Sequence, residues 1–241
     1  MIGLSITAIG GRRFEESLEI YTALGEALDC TYLELAIGCP PSQYLGVQSA
    51  VLHDCCLFDV NGKRQPFSLL ESNTWLPYKQ FCTARHVRAF GFHAPLRTKA
   101  SLKELHQAVI KLEKYLHIPV MIESMPTPDR WCSDRESCQG LPLLLDVSHV
   151  LIWHRGNHPY TAETCFELLP SAVGVHLSHN QGWSDDHDLI PEDIWFQEYI
   201  PEWSRSLFVT YESLPARFAR YERLDKLRLR RLQEHARLAS Y

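Results

Sequence analysis

The chain has 241 residues, 45% of them hydrophobic and 22% charged, which suffices for a full core and is close to the about 250 residues of one (β/α)8 barrel. Its formal charge of −5 offers no overall attraction for a polyanion, so nucleic acid is not favoured as a partner. No run approaches the about 20 consecutive apolar residues of a membrane span. The opening Met1-Ile-Gly-Leu-Ser5 also lacks the basic and long apolar regions of a signal peptide, so a cytoplasmic protein without a membrane partner is expected.

Short apolar runs alternate with longer amphipathic stretches, the pattern of βα units feeding a parallel sheet. The runs predict eight strands, over 2–7, 32–37, 50–57, 87–92, 120–122, 143–147, 172–177 and 207–211. Eight is the number that closes a barrel. Helices are expected over 13–28, 75–85, 99–116, 162–168, 192–199 and 214–239. Ser101-Leu-Lys-Glu104 has the spacing of a capping box, and Thr161-Ala-Glu-Thr164 opens a helix in the same manner. There is no repeat, low-complexity tract or Gly/Pro/Ser-rich linker, so residues 1–241 read as one TIM-barrel domain of the α/β class. The stretch 58–73, with Asn61-Gly-Lys-Arg64 at a turn, lacks periodicity and follows the third strand, where loops of this fold carry substrate contacts.

Eight cysteines contain no C-x-x-C pair, and several sit in apolar runs. They read as reduced core fillers in a cytoplasmic protein.

The strand ends carry the chemistry. Val120-Met-Ile-Glu123, Leu143-Leu-Leu-Asp-Val-Ser-His149 and Gly174-Val-His176 each end an apolar run in a carboxylate or an imidazole. At or just beyond the other ends stand Glu34, His53, His93 and Glu212, and the loop after strand seven adds Asp185 and His187. In a barrel these ends converge on one mouth, so ligands distant in sequence can share an ion. Asp146, Glu123 and Glu212 argue most strongly, because an ionised carboxylate on an apolar strand is costly unless paired or coordinated. Read alone, His53 and His93 suit a hydrogen-bonded structural role better than a ligand's, and Ser184-Asp-Asp-His-Asp188 is an ordinary polar loop.

Taken in order, His53, His93, Glu123, Asp146-x-x-His149, His176, Asp185-x-His187 and Glu212 resemble the ligand pattern of the xylose-isomerase-like TIM barrel superfamily, most closely its endonuclease IV group. The resemblance implies two or three divalent ions. One would be held by His53, His93 and Glu123; Glu123 would bridge to a second held by Asp146, His176 and Glu212; His149, Asp185 and His187 would hold a third. Zinc, manganese or iron would accept these mixed ligands. Endonuclease IV proteins are longer and insert side chains into DNA, whereas the loop after strand two is brief here (Gly38-Cys-Pro-Pro-Ser42) and the net charge is negative. A smaller substrate is therefore expected.

Around this set, Arg97, His179 and Trp183 are candidate substrate contacts, with Asn180, Trp153, His154 and His158 close to the mouth. The last predicted helix carries eight basic residues against three acidic ones. It reads as a solvated outer helix, with a nucleic-acid or subunit contact as the alternative.

The leading expectation is an enzyme, a phosphoester hydrolase using metal-activated hydroxide. The alternative is a sugar or hydroxy-carbonyl isomerase or epimerase with one divalent ion and Glu123 and Glu212 as acid and base. Minor readings are a multi-iron oxidative enzyme and a non-catalytic metal-dependent binding protein. The substrate would be a small phosphoester or sugar. The oligomeric state is not legible.

Overall fold

The computed structural model describes residues 1–6, 30–36, 49–54, 63, 65–188, 190–191 and 193–213. The helices expected over 13–28 and 214–239, the loop after strand two and most of the 58–64 stretch lie outside these residues.

All eight expected strands form: β1 (Ile2–Ser5), β2 (Tyr32–Leu35), β3 (Ala50–His53), β4 (Val87–His93), β5 (Val120–Glu123), β6 (Leu143–Asp146), β7 (Ala172–Leu177) and β8 (Phe208–Tyr211). They pair in sequence order, all parallel, and β1 closes against β8 to complete the barrel. Between them run α1 (Leu76–Ala84), α2 (Leu102–Leu116), α3 (Arg135–Cys138), α4 (Val147–Trp153), α5 (His158–Leu168) and α6 (Ile200–Ser206). Among the described residues no helix is long and apolar enough to cross a membrane.

Every strand is covered on both faces, which is why the strands read as continuous apolar runs rather than alternating ones. One set of residues, including Leu33, Leu35, Leu52, Phe90, Phe92, Ile122, Leu145, Val175 and Val209, packs outward into the large core with the helices. The set between them turns inward. Tyr32, Val51, Ala89, Met121, Leu144 and Phe208 fill the barrel as a separate buried cluster. A strand returns a side chain to the same face every second residue. Two steps on from this floor, the inner face therefore presents Glu34, His53, Glu123, Asp146 and Thr210, and on β4 a further step passes Gly91 to reach His93. The site is the upper layer of the barrel interior.

Helix α2 starts as its spacing predicts: the Ser101 Oγ accepts from the Glu104 amide at 3.3 Å, and the Glu104 carboxylate accepts from the Ser101 amide at 2.8 Å. Two helix starts differ from expectation. α5 begins at His158, capped by the Asn157 side chain with a proline in its first turn, rather than at Thr161. Over 193–199, the described part of the helix expected at 192–199, there is instead a 3-10 turn (Gln197–Tyr199) leading into α6, whose first turn takes Pro201. α3 and α4 were not expected. Cys82, Cys132, Cys138 and Cys165 are buried free thiols and Cys30 is half-buried, while Cys39, Cys55 and Cys56 lie outside the described residues.

Candidate metal centre

Barrel register brings the ligand-type residues together. His93 stands opposite Glu123, and Asp146 opposite His176, which in turn faces Thr210 one strand on. The ligand atoms of Glu123, Asp146, His176 and Glu212 all lie within 4.8 Å of one another, and all four residues are buried. His176 Nδ1 is the hub: it lies 2.9 Å from Glu212 Oε2, 3.3 Å from Glu123 Oε1 and 4.0 Å from Asp146 Oδ2.

Two wings extend from this group. On one side Glu123 Oε2 meets His53 Nε2 at 3.3 Å and His93 Nε2 at 3.1 Å. On the other, Asp185 lies 3.2 Å from His149 Nε2 through one oxygen and 3.2 Å from His187 Nε2 through the other, and His187 Nδ1 approaches Glu212 at 3.7 Å. His187 reaches this place from a left-handed backbone, φ +49°, a conformation unusual for a residue other than glycine and found preferentially at functional sites. All nine residues expected as ligands thus line one continuous patch.

Several of the imidazoles are aimed by a bond on the opposite ring nitrogen. His176 Nε2 is 2.8 Å from Glu34 Oε2, His149 Nδ1 is 2.6 Å from the Ser124 carbonyl, and His93 Nδ1 is 3.1 Å from Asp54 Oδ2. The nitrogen left over in each case faces the carboxylates, the arrangement that metal-binding histidines adopt. Asp146 has a second duty: its Oδ1 caps α4 by accepting from the His149 amide at 2.9 Å, which sets Asp146 and His149 side by side.

The inward atoms are close but misaligned. Glu123 Oε2, Asp146 Oδ2, His53 Nε2, His149 Nε2, His176 Nδ1 and His187 Nδ1 are buried, and none makes a hydrogen bond. Buried polar atoms normally find partners, and a divalent cation would satisfy this mixture of nitrogen and oxygen donors at once.

Opposed charges shift several of these groups. Burial drives the imidazoles toward neutrality, but the carboxylates override it: Glu123 carries His53 up to about 9, Asp146 and Asp185 carry His149 up to about 10, and Asp185 and Glu212 carry His187 up to about 9. Conversely burial would raise Glu212, yet His176 and His187 hold it at about 2, and His93 and His53 likewise hold Glu123 well below the carboxylate range. Asp146 is the exception. Burial raises it, because its nearest imidazoles are as far as 3.8 and 4.0 Å away.

The expected substrate contacts are placed differently. Arg97 is turned away to the 130–134 loop: it pairs with Asp134, donates to the Arg130 carbonyl at 2.9 Å and to Ser133 Oγ at 3.1 Å, and lies 4.9 Å over the Trp131 ring. These contacts tie the guanidinium to that loop. The His179 ring stacks on His158, centroids 5.6 Å apart, while its backbone bridges to Asp188. Trp183 is 73% exposed. Trp153 donates to the Met125 carbonyl at 2.6 Å and so braces the loop after β5, His154 pairs with Thr164 of α5, and Asn180 donates to the Ser148 carbonyl of α4. Asp54 and Ser124 carry no sequence signal of their own. Glu34 was legible as a strand-end carboxylate, though not as the partner of His176.

No family model matches the chain, and no curated protein matches it. Solved structures do. A candidate xylose isomerase from Rhodospirillum rubrum shares 15% identity at a TM-score of 0.67, covering 99% of this chain and 98% of its own. The zinc-bound IolI protein shares 13% identity at 0.63, with the same coverages. D-allulose 3-epimerase from Methylomonas sp., solved with D-allulose, shares 11% identity at 0.58, covering 89% of this chain and 84% of its own. The fold is thus that of the xylose-isomerase-like TIM barrels.

Proposed function

We propose that the protein is a divalent-metal-dependent isomerase or epimerase acting on a small sugar or hydroxy-carbonyl compound. The observation that carries this reading is the buried group Glu123, Asp146, His176 and Glu212, with ligand atoms mutually within 4.8 Å at the barrel mouth. Those four residues would hold the ion. When bound, it would polarise a substrate carbonyl and its neighbouring hydroxyl and so acidify the carbon between them. Glu123 and Glu212 approach His176 Nδ1 through different strands. The surrounding imidazoles favour the ionised form of both; one, ionised, would take the proton from that carbon, and the other, having first gained a proton of its own, would return it to the opposite face. The fold likeness to D-allulose 3-epimerase supports this choice. The hydrolase expectation therefore yields to its alternative. Zinc, manganese and iron all suit the donors.

The test is proton exchange. The metal-loaded protein, incubated with a panel of ketoses in deuterium oxide, should place deuterium at the carbon beside the carbonyl, as read by NMR. Glu123→Gln and Glu212→Gln should each cut the rate by about 10²–10⁴-fold. If no ketose or hydroxy-ketone exchanges, the reading fails.

A second reading keeps a specific observation: His53, His93, His149, Asp185 and His187 adjoin the four-residue group and exceed what one ion requires. A multinuclear centre hydrolysing a phosphoester would use them, and hydrolysis of model phosphodiesters with two or three ions per chain would favour it.

A further inference from the structure

We infer that Glu34 is a positioning residue for the candidate ligand His176, fixing the imidazole so that its Nδ1 is bare and turned to Glu123, Asp146 and Glu212. This rests on the proposed reading that those residues hold an ion.

Glu34 stands on the inner face of β2, 142 positions from His176 in sequence and fully buried. Its Oε2 accepts from His176 Nε2 at 2.8 Å and from Thr210 Oγ1 at 3.4 Å, and Thr210 in turn pairs with the Tyr32 hydroxyl at 2.8 Å. The line Tyr32, Thr210, Glu34, His176 therefore runs from the barrel floor to the ligand group with every member buried. A neutral imidazole has one N–H, and a carboxylate can only accept. With Glu34 beneath it, the proton of His176 belongs on Nε2, and the lone pair is on Nδ1. Without that carboxylate the competing tautomer gains ground. Its Nδ1–H would face the carboxylates of Glu212, 2.9 Å away, and Glu123, 3.3 Å away, and the ring would be lost as a ligand. Glu34 Oε1 makes no hydrogen bond among the described residues, so a buried carboxylate is retained here for less than its full bonding capacity. A purely structural role would not require that cost.

The test compares metal-free wild type, Glu34→Gln and His176→Ala by titration with zinc against a chromophoric chelator, alongside long-range 15N–1H spectra of histidine-labelled protein. Expected are tight zinc binding by wild type, its loss in His176→Ala, and binding weakened by about 10–100-fold in Glu34→Gln. Spectra of the zinc-loaded wild type should place the His176 proton on Nε2 and leave Nδ1 without one. Zinc binding by Glu34→Gln within about twofold of wild type, or a wild-type His176 protonated on Nδ1 alone, overturns the inference and leaves the functional reading standing. The wild-type spectrum decides the matter should the variant not fold. Zinc binding unaffected in His176→Ala instead removes the functional reading, and the inference with it.

Discussion

His93 and Glu123 face each other across the β4–β5 register, with His93 Nε2 3.1 Å from Glu123 Oε2 and the other ring nitrogen held by Asp54 at 3.1 Å. The pair sits where the buried group meets solvent, since the His93 side chain is 32% exposed while Glu123 is nearly fully enclosed. His93 thus loads Glu123 from the outside, and the four-residue group lies on its inner side.

That geometry separates the two functional readings by metal count. With one ion in the Glu123, Asp146, His176 and Glu212 group, His93→Ala should leave about one ion per chain, because none of those four ligands is removed. The exchange rate should fall, since Glu123 loses a neighbour that holds it ionised. Elemental analysis of purified wild type and variant checks the count. A wild type with two or three ions, one of them missing from His93→Ala, would turn the argument to the multinuclear centre.

Stability should depend on pH differently with and without metal. In the metal-free protein His53, His149 and His187 are raised from 6.5 to about 9, 10 and 9. Protons on these rings therefore stabilise the fold fully below pH 6.5, and that contribution is lost as pH rises through 9 to 10. Glu212, lowered from 4.5 to about 2, stabilises above pH 4.5 and ceases to as pH falls through 2. A divalent ion replaces the ring protons, so its affinity should rise with pH by up to about tenfold per unit for each proton displaced. Melting temperatures in chelator should decline from pH 6.5 to 10, and saturating zinc should cancel the decline. Parallel profiles in chelator and in zinc would contradict this account.

Much of this was legible from residue order because the barrel is regular. Strands alternate, parallel neighbours keep register, and most inner positions one layer above the floor fall at or next to a strand end, so Glu123, Asp146 and His176 stand out as polar residues closing apolar runs. What escaped notice depends on long-range partners or on blurred boundaries. Arg97 looked free for a substrate because Asp134, which occupies it, lies 37 positions away. Helix α4 was missed because Val147-Ser-His-Val-Leu-Ile-Trp153 continues the apolar run of β6, and the stop is set only by the Asp146 cap. The helix expected at 192–199 fails for the converse reason: the amphipathic stretch was plausible, but Pro201 favours a start at Ile200.

The floor below the site should be sensitive to single methyl groups, and unequally so. A Cβ at Gly174 would lie 2.7 Å from Met121 Sδ, 3.0 Å from Leu144 Cδ1 and 3.2 Å from the Phe208 carbonyl oxygen. Met121 can swing away, but the carbonyl belongs to the β8 backbone and cannot yield without disturbing the β7–β8 ladder. At Gly91 the neighbours would be Leu144 Cδ2 at 2.9 Å and His53 Cδ2 at 3.2 Å, both side-chain atoms. Overpacking of this kind costs about 1–3 kcal/mol. Gly174→Ala should therefore lie toward the upper end and Gly91→Ala toward the lower, read by denaturant melts of the metal-free protein. Gly91→Ala carries an additional signature, because the atom it presses on belongs to His53: its histidine spectrum should change at His53, while Gly174→Ala should leave that signal in place. Equal destabilisation by the two variants, with His53 undisturbed in both, would mean that the floor is looser than these contacts imply.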